Sequence, residues 1–210
     1  MNTLVEKVVE QVPFDIFTDT TVRHLIQGTG DRRYSIVKRA IQSGEIIHLR
    51  RGLYVLAEKY RRKPNNLFEI AQMLYGPSYI SFESALSFHG WIPEGVYAVT
   101  SASAKRSQEI ETQLGIFSYT HIPSNNFYAG VQRVSSDNIF LIATPWRALT
   151  DYVYFHKKNW KGLKPVIENL RVDQKLFQNV DFRLLEELYN ATRSVNVKRF
   201  IKSIKQELLA

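Results

Sequence analysis

Arg32, Arg33, Ser35, Lys38, Arg39 and Gln42 fall within eleven consecutive residues, and Arg50-Arg51-Gly52 follows shortly after. Guanidinium and amide groups can pair bidentately with base edges, whereas ammonium groups act as point charges on phosphate oxygens. The chemistry this clustering offers is recognition of a polyanion, provided that one face of one element displays these side chains. At about 100° per residue, a helix over 32–42 would place Tyr34, Val37, Ala40 and Ile41 on an inward side. Arg32, Ser35, Arg39 and Gln42 would gather opposite, flanked by Arg33 and Lys38. The N-terminal part of such a helix reaches base edges in helix-turn-helix proteins, which assigns Arg32, Arg33 and Ser35 to base readout. Arg39 and Lys38 are then assigned to phosphates. Arg50 and Arg51 would sit at the tip of a hairpin, where core packing does not account for them and where a wing meets the minor groove or backbone.

Other chemistries find less support. A metal-dependent nuclease needs two or more acids with a lysine around a metal. Glu83, Glu109, Glu111 and Asp151 are available, but their spacing does not select them as a site. The five histidines, at 24, 48, 89, 121 and 156, lack metal-ligand spacing. The absence of cysteine removes disulfides, thiolate zinc and a thiol nucleophile. The sequence therefore predicts a protein that is not an enzyme, with no cofactor and no metal. His89 before Gly90 suits a helix C-terminus, and Asp151 is placed to pair with Arg147 at i,i+4. Trp146, Leu149, Val153 and Tyr154 recur at helical spacing, which favours burial over base stacking. Lys198, Arg199, Lys202 and Lys205 share one side of a C-terminal helix, either as a solvated face or as further phosphate contacts.

The elements that must hold the basic residues can be read in order. Leu4, Val5, Val8, Val9 and Val12 predict a first helix ended by Pro13. A short second helix, capped by Thr18 or Asp19, buries Val22, Leu25 and Ile26. Gly28-Thr29-Gly30 breaks it, and Asp31 is the expected N-cap of the third helix. Ser43-Gly44 stops that helix, and a hairpin follows over 45–56. Helix, helix, helix, hairpin is the order of a winged helix-turn-helix, expected over residues 1–57. Were this domain a protein-interaction module, its exposed stripe would more often carry acids or apolar groups than arginines.

Residues 58–65, dense in charge and aperiodic, are expected to link this domain to a larger α+β domain over 66–210. There, helices are predicted over 67–75 and 82–89, and strands over 96–101, 116–122, 132–135 and 138–143. Further helices are predicted over 146–157, 163–170, 181–190 and 195–209. The fold class is thus α+β, with a central sheet, mostly antiparallel or mixed, and a helical C-terminus. The formal charge of +8 is unevenly spread: residues 1–63 carry 12 Lys/Arg against 7 Asp/Glu, 64–144 carry 3 against 6, and 145–210 carry 13 against 7. Such basicity favours a nucleic-acid partner over a membrane, and the longest apolar run, 139–143, is far too short to span one. No leader pattern is apparent at the N-terminus, so the expected compartment is the cytoplasm.

The run from Phe17 to Leu56, ending Arg51-Gly52-Leu53-Tyr54-Val55-Leu56, resembles the winged-helix domain of AbiEi-type antitoxins. Tyr79-Ile80-Ser81-Phe82-Glu83-Ser84-Ala85-Leu86-Ser87-Phe88-His89-Gly90 is similar to that family's small-residue helix ending in His-Gly. Thr144-Pro145-Trp146-Arg147-Ala148-Leu149-Thr150-Asp151 is similar to its Thr-Pro-x-x-Ala-Leu-x-Asp helix start. The resemblance implies a bacterial repressor of its own operon that acts through inverted repeats, with a homodimer as the matching partner geometry. It also implies an antitoxin against a nucleotidyltransferase-like toxin, neutralised without any need for direct contact.

Overall fold

The computed structural model describes residues 1–93, 95–135, 139–178 and 180–209. The chain divides into two compact units, Met1–Asn66 with Thr112–Leu114, and Leu67–Glu111 with Gly115–Ala210. Among the described residues there are nine α-helices and nine strands, an α+β composition with a helical C-terminus. No described helix is long and apolar enough to cross a membrane.

The first unit runs α1 (Thr3–Gln11), β1 (Ile16–Thr18), α2 (Asp19–Leu25), α3 (Gly30–Gln42), β2 (Ile46–Arg50) and β3 (Leu53–Leu56). Asn2 caps α1 by accepting from the Leu4 amide, and Pro13, with no N–H to donate, lies just past its end. Thr18 and Thr21 form a capping box on α2. Leu4, Val5, Val8, Val22, Ile26, Ile36, Val37 and Ala40 make the core with Ile46 and Leu56 from the hairpin. The three strands form an antiparallel sheet in the order β1-β3-β2. Sequence periodicity did not anticipate β1, because three residues are too few to show alternation.

Two details of α3 differ from expectation. It begins at Gly30 with Thr29 as N-cap, so Asp31 sits inside the first turn, where its charge still complements the helix dipole. Its buried residues are Ile36, Val37 and Ala40, while Tyr34 is 68% exposed and Ile41 only half-buried. The inward side is therefore turned by roughly 60° from the one the sequence projection chose. The cause is Ile36, which the projection left off the inward side and which is buried in the core of the unit.

The residues read as a linker are tied down in part. Glu58–Tyr60 form a 3-10 turn, Arg61 Nε donates to the Leu56 carbonyl, and Arg62 pairs with Asp15 at 3.0 Å.

The second unit opens with α4 (Leu67–Leu74), β4 (Ser78–Ile80) and α5 (Phe82–Phe88). Next come β5 (Ala98–Ser103), β6 (Gln108–Thr112), β7 (Gly115–His121), β8 (Val131–Ser135) and β9 (Ile139–Ala143). The chain closes with α6 (Pro145–Phe155), α7 (Lys164–Leu170), α8 (Phe182–Ala191) and α9 (Val195–Leu208). Asn138, the expected first residue of the last strand, lies outside the described residues. The six strands form one mixed sheet in the order β6-β7-β5-β4-β9-β8. The pairs β4–β5 and β8–β9 are antiparallel, while β5–β7 and β4–β9 are parallel. Side chains alternate across the sheet. Tyr119 and Phe140 meet α4, through the Ala71 carbonyl at 2.6 Å and the Phe68 ring at 5.4 Å, whereas Tyr79 meets α6 through Asp151 at 2.9 Å. Trp146, Leu149 and Val153 of α6 are buried.

Candidate nucleic-acid interface

The hairpin and the helices of the first unit enclose a groove of about 660 Å³. Its lining includes Arg33, Tyr34, Lys38 and Gln42 of α3, Arg23 of α2, and His48 and Arg51 of the hairpin, over an apolar floor of Val22, Val37 and Ile41. Of the eight side chains singled out from sequence, Arg33, Lys38, Gln42 and Arg51 therefore border one concavity. Arg32, Ser35, Arg39 and Arg50 are exposed but lie outside it. With the helix turned as described, Lys38, Gln42 and Ser35 stand nearest the middle of its outward face, with Asp31 between them. Arg32 falls towards one edge.

Local bonds fix several of these groups. Arg33, half-buried, donates to the Gly28 carbonyl, and Arg39 Nε donates to the Ser35 carbonyl at 3.3 Å. Arg50 donates to the Arg51 carbonyl at 3.4 Å. The turn between the strands is clamped to α2. Gly52, at φ 73°, accepts from the Asp19 amide at 3.1 Å, and the Asp19 carboxylate accepts from the Tyr54 hydroxyl at 2.9 Å. Burial, then the hydrogen bond to Asp19 and its charge, push Tyr54 up to about 12.

On the other side of the unit, Glu45 holds the orientation of α3. It accepts from the Asn2 amide at 2.9 Å and from the Tyr60 hydroxyl at 3.2 Å, while Asn2 Nδ2 donates to the Ile36 carbonyl at 3.2 Å. Burial pushes the Glu45 carboxyl up, but these donors, the chain's positive N-terminus and Ser43 together carry it below its ordinary value.

The cations of the groove side are not held in ion pairs, although the Asp19 carboxylate also lines the groove and Asp31 lies on the outward face of α3. Among the described residues, no ion pair engages Arg23, Arg32, Arg33, Lys38, Arg39 or Arg51. Elsewhere basic groups are neutralised, as in Arg62–Asp15, Arg147–Asp151 and Lys205–Glu186. Sequence reasoning missed Arg23, Tyr34 and His48 as groove residues. No clean signal for His48 existed in strand alternation, since an irregularity between His48 and Arg50 breaks the period and leaves Ile46 and Leu49 buried with His48 exposed. None existed for Arg23, which the short α2 brings in from outside the basic cluster.

The acids weighed for metal chemistry are dispersed. Glu83 faces His156 at 3.3 Å, and Glu109 and Glu111 are exposed on β6. Asp151 is buried and accepts from the Tyr79 hydroxyl at 2.9 Å, Ser81 Oγ at 2.8 Å and Arg147 Nε at 3.1 Å. Arg147 in turn donates to the Tyr79 hydroxyl and, at 3.1 Å, to the Ala129 carbonyl. Burial holds Tyr79 well above its ordinary value, with the Asp151 charge acting in the same sense. Burial alone would lower Arg147, but the adjacent Asp151 carboxylate raises it. Among the described residues, no group of three His, Asp or Glu side chains could hold a metal ion.

His89 and several of the C-terminal cations have local partners. His89 closes α5, but its ring meets the Ala143 carbonyl of β9 at 2.9 Å rather than the helix's own carbonyls, and burial lowers its pKa. The C-terminal cations are partly engaged: Lys198 lies over the Tyr189 ring, Arg199 donates to Asn159, and Lys205 pairs with Glu186.

No family model matches this chain, and no curated protein matches it.

Proposed function

We propose that the first unit is a winged helix-turn-helix that binds duplex DNA, with α3 entering the major groove and the β2–β3 turn meeting the backbone beside it. The observation that carries this reading is the set of unneutralised cations, Arg23, Lys38 and Arg51, around the α3 groove. Unpaired cations on one face favour a polyanion, because each phosphate they neutralise releases condensed counterions. Lys38, Gln42 and Ser35 are the groups best placed for base edges, and Arg23, Arg39 and Arg51 for phosphates. Arg32, Arg33 and Arg50 are secondary contributors at the edges of this face.

The reading extends, on the sequence resemblance, to a cytoplasmic repressor that binds inverted repeats ahead of its own reading frame as a two-fold dimer, and to an antitoxin role. The test is a gel shift with that upstream DNA. Binding should be independent of metal and should weaken steeply with salt, and Arg23→Ala and Arg51→Ala should each reduce the salt slope by about one. An unchanged titration for both variants refutes the interface. Plasmid nicking that requires magnesium or manganese would favour the nuclease reading instead. The antitoxin role fails if expression of the adjacent reading frame is harmless in the absence of this protein.

A further inference from the structure

We infer that Tyr34 is a specificity-determining residue that reads thymine through its C5-methyl group. This rests on the proposal that α3 enters duplex DNA. Tyr34 stands 68% exposed on a helix whose other outward groups are polar or charged. Ile41, seven residues on and so on the same side, continues an apolar strip into the groove floor with Val37 and Val22. Lys38 and Gln42 flank the strip on α3, and Arg23 and Arg51 border the same groove.

Phosphates account for the cations but not for an apolar strip between them. A ring pressed on a phosphate would strip water from the anion and return nothing. Base edges in the major groove are donors and acceptors with one apolar exception, the thymine methyl. A strand held by the cations would bring base edges over the strip, where an aromatic ring gains by covering methyl groups. By contrast, the hydroxyls of Tyr54, Tyr79 and Tyr119 are engaged in hydrogen bonds. Among the described residues, the Tyr34 side chain has neither a hydrogen bond nor a ring contact.

The test uses the full chain and the DNA just upstream of its reading frame, prepared with thymidine or with deoxyuridine throughout, which removes the methyls and leaves Watson–Crick pairing intact. The wild-type protein should bind the thymidine duplex about fourfold more tightly for each methyl covered. Tyr34→Phe should keep that ratio, and Tyr34→Ala should lose it, binding both duplexes as the wild type binds the deoxyuridine form. Lys38→Ala should weaken both duplexes alike. A wild-type protein indifferent to the methyls, or a Tyr34→Ala variant that keeps the full ratio, overturns the Tyr34 assignment and leaves DNA binding standing. Absence of salt-sensitive binding to either duplex overturns both.

Discussion

Replacing Asp151 by Asn tests whether the Tyr79–Asp151–Arg147 network is a structural staple of the second unit. The side chains of Arg147 and Asp151 are each 4% exposed and meet at 3.0 Å. Asn keeps the shape and one acceptor for Tyr79 and Ser81, but it leaves the Arg147 charge buried with only the Ala129 carbonyl and the Tyr79 hydroxyl as partners. Removing one member of a buried pair costs about 3–5 kcal/mol, which for a domain of this size lowers the melting temperature by about 6–20 °C. The chain's three tryptophans, Trp91, Trp146 and Trp160, are all buried in this unit, so their fluorescence reports its unfolding. Arg147→Met should cost a similar amount because it strands the carboxylate. The double variant should be less damaged than the sum, by about 1–3 kcal/mol, since neither charge is then left alone. Single variants that lose under about 1 kcal/mol, or a double variant additive within about 0.5 kcal/mol, would refute the coupling.

Three further outcomes follow from local geometry. Glu45 has a folded pKa below its ordinary value of 4.5, so its stabilisation is present above that pH and is lost as pH falls through the folded value; Glu45→Gln should flatten the acid limb of a urea-midpoint against pH plot. Tyr54 has the opposite sense, with stabilisation present below its ordinary value of 10 and lost as pH rises towards about 12; Tyr54→Phe should remove that part of the alkaline loss, measured as the difference from wild type. At Gly130, φ is 67° and an added Cβ would lie 3.1 Å from Arg147 Cβ, Leu184 Cδ1 and Leu188 Cδ2; Gly130→Ala should therefore destabilise the second unit by about 1–3 kcal/mol in denaturant titration.

Long helices were the legible part of this sequence. The first three helices, the hairpin, and α6 with Thr144 as cap and Pro145 in its first turn follow from apolar spacing and end signals within a few residues. The i,i+4 pair of Arg147 with Asp151 was also visible. Its partners Tyr79 and Ser81 were not, because they lie 72 and 70 residues away from Asp151 in sequence and local spacing carries no record of such contacts. The strands β4 and β6 escaped for two reasons. Ser78–Ile80 is buried on both faces and so does not alternate, and Gln108–Thr112 is a polar edge strand. At α3 the residue types were legible but their phase was not. Tyrosine is apolar enough to be counted inward, and its exposure follows from where Ile36 and the Glu45–Asn2 brace set the helix.

That phase decides which basic residues can act together. With Tyr34 inward, the arginines at 32 and 39 would lead the face and the hairpin would be a separate contact. With Ile36 inward, Lys38 and Gln42 come to the middle, and the floor they share with Val22 extends to Arg51 on the hairpin. Helix and hairpin are then two walls of one groove, and the Asp19 clamp on Gly52 and Tyr54 fixes the hairpin wall to α2, which also lines it. A polyanion seated there would engage both walls at once. Loss of the clamp should accordingly weaken binding even though Asp19 bears the wrong charge to touch a phosphate. Removal of an acid from a DNA-binding face would ordinarily strengthen binding by simple electrostatics. Asp19→Asn would leave backbone pairing and the Tyr54 partner largely in place, whereas Asp19→Ala would remove the side-chain tie. Weaker binding for Ala than for Asn is thus the signature of positioning, and equal gains for both would mean that charge alone matters.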